Sequence, residues 1–95
     1  MTPDEVVTVV QTYQQILREE GFVPERLTDP PLYPTVDGSL GHILWMCEEI
    51  EVMAQDNLDK AFRWLGFVQG VLWTRGRRSI YQMRCDNKGL HEGVG

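Results

Sequence analysis

The segment from Ala61 to Trp73, AFRWLGFVQGVLW, constrains the fold of this chain more than any other feature. As a helix, it is apolar on most of its circumference. A helix of that kind belongs in the interior of a structure. A chain of 95 residues has the length of one domain. We therefore predict that this segment is the central helix of a small all-α domain.

Capping motifs and glycines divide the rest of the chain into helices. Thr2-Pro3-Asp4-Glu5 combines an N-cap threonine, an early proline and a glutamate three residues after the cap, which is typical of a helix start. Ser79-Ile80-Tyr81-Gln82 repeats this pattern. With the period of the apolar residues, these motifs predict helices over about 3–20, 39–55, 58–75 and 79–87. The predicted fold class is all-α, a small bundle of three longer helices plus a short C-terminal helix. The helical domain is expected to occupy 1–89, followed by a disordered tail over 90–95.

A proline-rich stretch separates the first two predicted helices. Residues 22–38, FVPERLTDPPLYPTVDG, contain four of the five prolines, and this spacing is incompatible with a regular element. The stretch is nevertheless too apolar for a flexible linker. We predict an ordered strap that lies across the helices and fills gaps with its apolar side chains: Phe22, Val23, Leu27, Leu32, Tyr33 and Val36.

The second predicted helix has one apolar side and one mixed side. Its buried stripe is predicted to contain Leu40, Ile43, Cys47, Ile50 and Ala54. Tryptophan exposed on an acidic helix face is a residue type that anchors protein interfaces. The side of the second helix opposite its buried stripe therefore supplies candidate protein-binding residues, and Phe67 of the third helix joins them. The candidates are Trp45, Glu48, Glu49, Val52 and Phe67. The alternative, that the strap covers Trp45 and makes it part of the core, stays open.

Gly66 and Gly70 leave a flat groove on the third predicted helix. Glycine in a helix interior costs about 1 kcal/mol relative to alanine, so two of them suggest the close approach of another backbone. The first helix or the strap is the expected neighbour. A homodimer seam at the same groove is the alternative.

A basic turn joins the third and fourth predicted helices. Residues 63–95 hold six basic and two acidic residues, whereas residues 1–62 hold twelve acidic and three basic residues. A short turn between two helices is the outline of a helix-turn-helix, which makes the arginines nucleic-acid-binding candidates. The acidic balance of the whole chain argues against this reading, because nucleic-acid binders usually have a dominant basic face. The candidates are Arg75, Arg77, Arg78 and Arg84.

The sequence lacks the spacings that catalysis or metal binding requires. It contains no C-x-x-C pair, no H-x-x-x-H pair and no phosphate-binding loop. His42 is expected at a helix start with its ring in solvent. We predict no enzyme activity, no catalytic residue, no metal and no cofactor. No apolar run approaches the ~20 residues of a membrane span, and the N-terminus lacks a secretory signal. A cytoplasmic location with two reduced cysteines is therefore expected.

Three apolar stretches carry a resemblance to a known group of proteins. Residues 42–47, 63–70 and 72–73 resemble the pattern HLLWMC … RWLGFVQG-LW of small phage and prophage proteins of unassigned function. The resemblance covers roughly residues 40–87. It implies a phage origin and the cytoplasm of an infected bacterium, and it implies no activity, cofactor or site.

Composition, charge and resemblance together favour a non-catalytic function. We expect a small phage-encoded protein that binds a protein of the host or of the phage. Because residues 1–62 are acidic, inhibition or modulation of a host defence or transcription complex is the specific hypothesis. The alternatives are a nucleic-acid-associated regulator that uses the arginine turn and a homo-oligomeric structural component.

Overall fold

The computed structural model describes residues 2–27 and 36–90, and within these ranges all regular structure is helical. The helices are α1 (Pro3–Glu19), α2 (Val36–Asp56), α3 (Leu58–Thr74) and α4 (Ile80–Leu90). The prediction of an all-α bundle with three longer helices and a short C-terminal one is confirmed.

The predicted capping motifs form at the helix ends. The Thr2 hydroxyl accepts a hydrogen bond from the Glu5 N–H at 3.2 Å, and the Glu5 carboxylate accepts one from the Thr2 N–H at 2.9 Å. The Asn57 side chain caps α3 by accepting from the N–H three residues later. Gly21 and Gly76 follow α1 and α3 with φ angles of +93° and +72°, the left-handed region that glycine adopts without a steric penalty.

Two helices are longer than their sequence patterns indicate. α2 begins at Val36 rather than near Ser39, so the last residues of the predicted strap belong to this helix. α4 continues through Gly89 to Leu90. The predicted strap ends at Gly38, and the predicted fourth helix ends before Gly89. A single glycine lowers helix stability by only about 1 kcal/mol, which neighbouring turns readily offset. The remainder of the predicted tail, 91–95, lies outside the described residues.

The core lies between α1, α2 and α3, and α2 is the central helix. α2 packs against both α1 and α3, whereas α1 and α3 meet over a smaller contact. The predicted central position of α3 is wrong, because α3 buries one side only and exposes 58% of Phe67 and 53% of Trp73. The predicted α2 stripe is buried in full. The buried apolar residues are Val6, Val9, Val10, Tyr13 and Leu17 from α1; Leu40, Ile43, Leu44, Met46, Cys47, Ile50 and Ala54 from α2; and Ala61, Leu65, Val68 and Leu72 from α3.

The described part of the strap, residues 22–27, lies along the first turns of α2. The Glu25 N–H donates to the Gly41 carbonyl at 3.0 Å, and the Leu27 N–H donates to His42 Nδ1 at 3.1 Å. The expected solvent-facing ring of His42 is therefore wrong, since this ring anchors the strap. Phe22 packs on the core as predicted, but Val23 is 68% exposed and fills no gap.

The other apolar residues of the predicted strap have separate outcomes. Leu27 is half-buried. Leu32 and Tyr33 lie outside the described residues, and Val36 is the first residue of α2.

Polar side chains hold α4 against the bundle. The buried Tyr13 hydroxyl donates to Asp86 at 2.7 Å and accepts from Gln69 Nε2 at 3.0 Å. Gln69 Nε2 also donates to Asn87 at 2.9 Å, and Arg78 binds both Asp86 oxygens. We call these five residues the polar clasp. Burial, reinforced by the Asp86 carboxylate, raises the pKa of Tyr13 well above its ordinary value. Among the described α4 side chains, only Met83 is buried.

Candidate protein-binding face

The outward side of α2 carries the predicted protein-binding residues in helical register. Glu49 follows Trp45 by one turn, and Val52 follows it by two turns. Val52 is 67% exposed. The Glu48 carboxylate forms an ion pair with Arg18 of α1, whereas Glu49 forms no ion pair within the described parts of the chain. Of the two predicted acidic residues, Glu49 is therefore the one left for another molecule.

Trp45 is half-buried within an aromatic stack. Its ring lies 5.3 Å from the His42 ring, centroid to centroid, in a stacked arrangement with an interplanar angle of 26°. The ring of Trp64, on α3, also lies close to Trp45, with 6.0 Å between the ring centroids and an angle of 46° between the ring planes. Trp64 was not among the predicted site residues. No spacing along the sequence relates side chains on two different helices, so only the packing of α3 on α2 could reveal this pair.

Each indole of this pair also forms a cation–π contact with a basic side chain of the same chain. The Arg26 guanidinium carbon lies 5.2 Å from the centre of the Trp45 ring, and Lys60 Nζ lies 5.3 Å from the centre of the Trp64 ring. Arg26 belongs to the strap. Trp45 is half-buried, with Arg26 of the strap against its ring. The predicted cover by Leu32 and most of the strap's prolines falls on residues outside the described ranges.

Phe67 extends the aromatic surface along α3. It follows Trp64 by three residues, so the two side chains are neighbours on the helix surface, and 58% of Phe67 is exposed. The structure thus places the predicted residues of both helices beside the aromatic pair. We use the name aromatic face for the set Trp45, Glu49, Val52, Trp64 and Phe67.

Gly66 and Gly70 lie on the outer side of α3. Both are exposed, and apart from the adjacent residues and the neighbouring backbone of α3 itself, no atom of the described residues lies within 4 Å of the position where a Cβ at either glycine would stand. The expected close contact with α1 is therefore wrong, because α3 turns this side away from the core. The described part of the strap does not reach the groove either. Exposed Trp73 precedes the turn at the end of the same helix.

Two of the four arginines in the predicted nucleic-acid site form ion pairs inside the fold. Arg77 Nε lies 3.0 Å from a Glu20 carboxylate oxygen at the end of α1, and its Nη1–H donates to the Arg75 carbonyl at 2.7 Å. Arg78 binds Asp86 of the polar clasp at 2.6 and 3.1 Å, which raises the pKa of its guanidinium further. Arg75 is half-buried and Arg84 is exposed.

Clefts lie between α1 and α2 and at the α3–α4 turn. A cleft of about 500 Å³ between α1 and α2 is lined by glutamines, Arg18 and two glutamates. A second, of about 330 Å³, lies at the α3–α4 turn beside Trp73 and Ser79. The Ser79 hydroxyl accepts the Gln82 N–H at 3.0 Å and caps α4 as predicted. Neither cleft is lined by a histidine or a cysteine.

The two cysteines are free and differ in their surroundings. Cys85 is exposed, whereas Cys47 is buried in the core. Burial, with smaller contributions from Glu51 and Glu48, raises the pKa of the Cys47 thiol to about 12. A thiol with this pKa is protonated at neutral pH and is a poor nucleophile. Across the described residues, no group of three histidine, cysteine, aspartate or glutamate side chains is arranged to hold a metal ion.

Comparison of the chain with protein-family models, with curated proteins and with solved structures gives no match. In the described ranges, none of the helices combines the length and the apolar composition that crossing a membrane requires.

Proposed function

We propose that this chain is a non-catalytic protein that works by binding another protein through the aromatic face. One observation carries the proposal: exposed Val52 and Phe67 lie on the two helices that hold a pair of half-buried indoles, beside Glu49, which forms no ion pair with any described residue. Aromatic residues are enriched in protein interfaces, and the residues that dominate binding are most often tryptophan, tyrosine and arginine.

The proposed partner is a protein of a bacterial host or of the phage itself. The resemblance to phage proteins supports this choice, and the acidic balance of residues 1–62 favours a basic partner surface. We propose inhibition or modulation of a host defence or transcription complex as the biological role, in the cytoplasm of the infected cell.

Affinity capture from bacterial lysate with matched surface variants tests the proposal. Val52→Asp changes the aromatic face, and Val23→Asp is its control, because the two valines are 67% and 68% exposed. Valine and aspartate have similar helix propensities, so α2 should remain folded. Phe67→Ser has Tyr81→Ser as its control, since Tyr81 is an exposed aromatic residue on α4.

The expected result is a defined protein that binds the wild type and both controls, resists nuclease and is lost with Val52→Asp and Phe67→Ser. Capture that is unaffected by both changes to the aromatic face would overturn the proposal. Loss of every partner after nuclease treatment would favour the nucleic-acid alternative, with exposed Arg84 as the first residue to replace.

Self-association through the outer side of α3 is a second candidate function. It is favoured by the exposed, unfilled groove at Gly66 and Gly70, which lies beside Phe67 and ends near Trp73. Light scattering coupled to size-exclusion chromatography should then give a dimer mass, and Gly70→Leu should give a monomer with unchanged helical content. A monomer mass for the wild type at high concentration would exclude this candidate.

A further inference from the structure

The aromatic pair of α2 and α3 binds cations within the chain itself. Arg26 lies over Trp45 and Lys60 lies over Trp64, at 5.2 and 5.3 Å from the ring centres. The negative face of an indole attracts a guanidinium or ammonium group at such distances. Both rings thus have the surroundings of a cation-binding site, and both cations come from exposed side chains.

Two acidic residues lie near the positions of α2 that precede and follow Trp45 by one helical turn. Glu49 follows it by four residues on α2. Glu25 of the strap packs beside Gly41, which precedes Trp45 by four residues. Its Cβ and Oε2 atoms lie 3.5 and 3.9 Å from the point that a Cβ at Gly41 would occupy. An aromatic ring between carboxylates favours a guanidinium, because the charge is attracted by the ring and by the flanking oxygens together.

Among the described residues, the contact with the Trp45 ring is the interaction that holds the Arg26 guanidinium in place. Its two neighbours attach the strap to α2 through the Glu25 and Leu27 N–H groups. Within the described residues, the Arg26 guanidinium itself forms no ion pair. Its side chain can therefore rotate away from the indole while the strap keeps its backbone hydrogen bonds.

We propose that the aromatic face binds a basic peptide segment of the partner, and that an arginine of that segment replaces Arg26 over Trp45. Arg26 then acts as a competitor within the chain. The inference rests on the proposed function and assigns its partner a chemistry. Charge complementarity supports it, since the chain carries a net charge of −5 and half-buried Glu49 has no ion-pair partner in the part of the chain that the structure describes.

A peptide titration followed by NMR tests this inference. The probe is a short peptide of alternating arginine and leucine, and its control replaces each arginine by citrulline, a neutral side chain of nearly the same shape. The indole N–H resonances of the three tryptophans report the site. Arg26→Gln removes the competitor, and Arg84→Gln makes the same change in net charge at an exposed position on α4.

The arginine peptide should shift the Trp45 and Trp64 resonances and leave that of Trp73 in place, and the citrulline peptide should bind more weakly. Arg26→Gln should tighten binding about two- to fivefold relative to Arg84→Gln, as the loss of one exposed cation–π contact predicts. Equal affinities of the two variants, or shifts centred on Trp73, would overturn the inference.

This outcome is separable from that of the proposed function. If Val52→Asp abolishes capture of a protein partner while the arginine and citrulline peptides bind equally, the aromatic face is an interface and the proposed cationic chemistry is wrong. If the peptide behaves as expected but capture does not depend on Val52 or Phe67, the indoles bind cations and the proposed function fails.

Discussion

Helix α2 is attached to its neighbours by apolar side chains, whereas α4 is attached to the bundle mainly by the polar clasp. The inward stripe of α2, with Leu44 and Ile50 fully buried, contacts α1 and α3 along its length. Among its described side chains, α4 buries only Met83, and the hydrogen bonds of Asp86 and Asn87 to Tyr13 and Gln69 add to this contact. One short chain therefore fixes two helices by different physical means.

The difference predicts how the two regions respond to perturbation. Apolar burial is non-directional and involves no charged group, so near neutral pH the α1–α2–α3 core should respond less than the polar clasp to the loss of one polar contact. A polar network depends on every member, because a buried donor left without an acceptor destabilises the folded state. We therefore expect α4 to open before the other helices do.

The largest effect is expected from a change inside the core. Leu44→Ala removes a fully buried side chain of α2 and should lower the free energy of unfolding by about 2–5 kcal/mol. Denaturant unfolding followed by circular dichroism measures this. Val52→Ala on the exposed side of the same helix should change stability by less than about 0.5 kcal/mol. Similar losses for both variants would contradict the assigned orientation of α2.

A change in the clasp should act locally. Asp86→Ala leaves the Tyr13 hydroxyl and the Arg78 guanidinium without their shared acceptor, at about 1–3 kcal/mol. Hydrogen exchange should show lost protection of the α4 amides and retained protection in α2. Arg84→Ala, at an exposed position on the same helix, serves as the control. An equal loss in all helices would mean that α4 unfolds only together with the core.

Alkaline pH should weaken both regions through two buried groups. Burial raises the pKa of Cys47 from 9.0 to about 12 and raises that of Tyr13 as well. Because the folded groups hold their protons more tightly than the unfolded ones, their contribution to stability is complete below about pH 9. It declines as pH rises toward 12, by at most about 1.4 kcal/mol per pH unit and group.

The contribution of the core thiol can be isolated by substitution. Cys47→Ala should flatten the decline in stability between about pH 9 and 10, before tyrosine ionises in the unfolded chain. Cys85→Ala, at the exposed cysteine, should leave the slope as it is in the wild type. An unchanged slope in Cys47→Ala would show that this thiol is not desolvated.

The smallest effect is expected from the surface ion pair between α1 and α2. Glu48→Gln breaks the pair with Arg18, whose side chain is 48% exposed, and should lower stability by about 0.2–1 kcal/mol. The difference should vanish near 1 M salt, where charges are screened within about 3 Å. Glu49→Gln is the matched control and should have no effect. An equal loss in both variants would contradict the assignment of the ion pair to Glu48.

The sequence by itself determined the helical segments and the buried side of α2. Capping at Thr2 and Ser79 depends on residues three positions apart, and the α2 stripe from Leu40 to Ala54 follows from the helical period. These properties are local, so periodicity and capping motifs were sufficient to predict them. Trp45 and Val52, predicted on the side of α2 opposite its buried stripe, are half-buried and exposed, respectively, and binding through them stays a prediction.

Only the tertiary structure decided which helix is central and which charges and rings meet. Glu20 and Arg77 are separated by 57 positions, and Trp45 meets Trp64 only because α3 folds back on α2. The nearly uniform apolar character of α3 suggested full burial at the centre of the bundle. In the structure α2 takes the central position, and α3 buries one side only. The sequence pattern of one helix indicates how much apolar surface it has. Which neighbour covers this surface depends on the free energy of packing all the helices together.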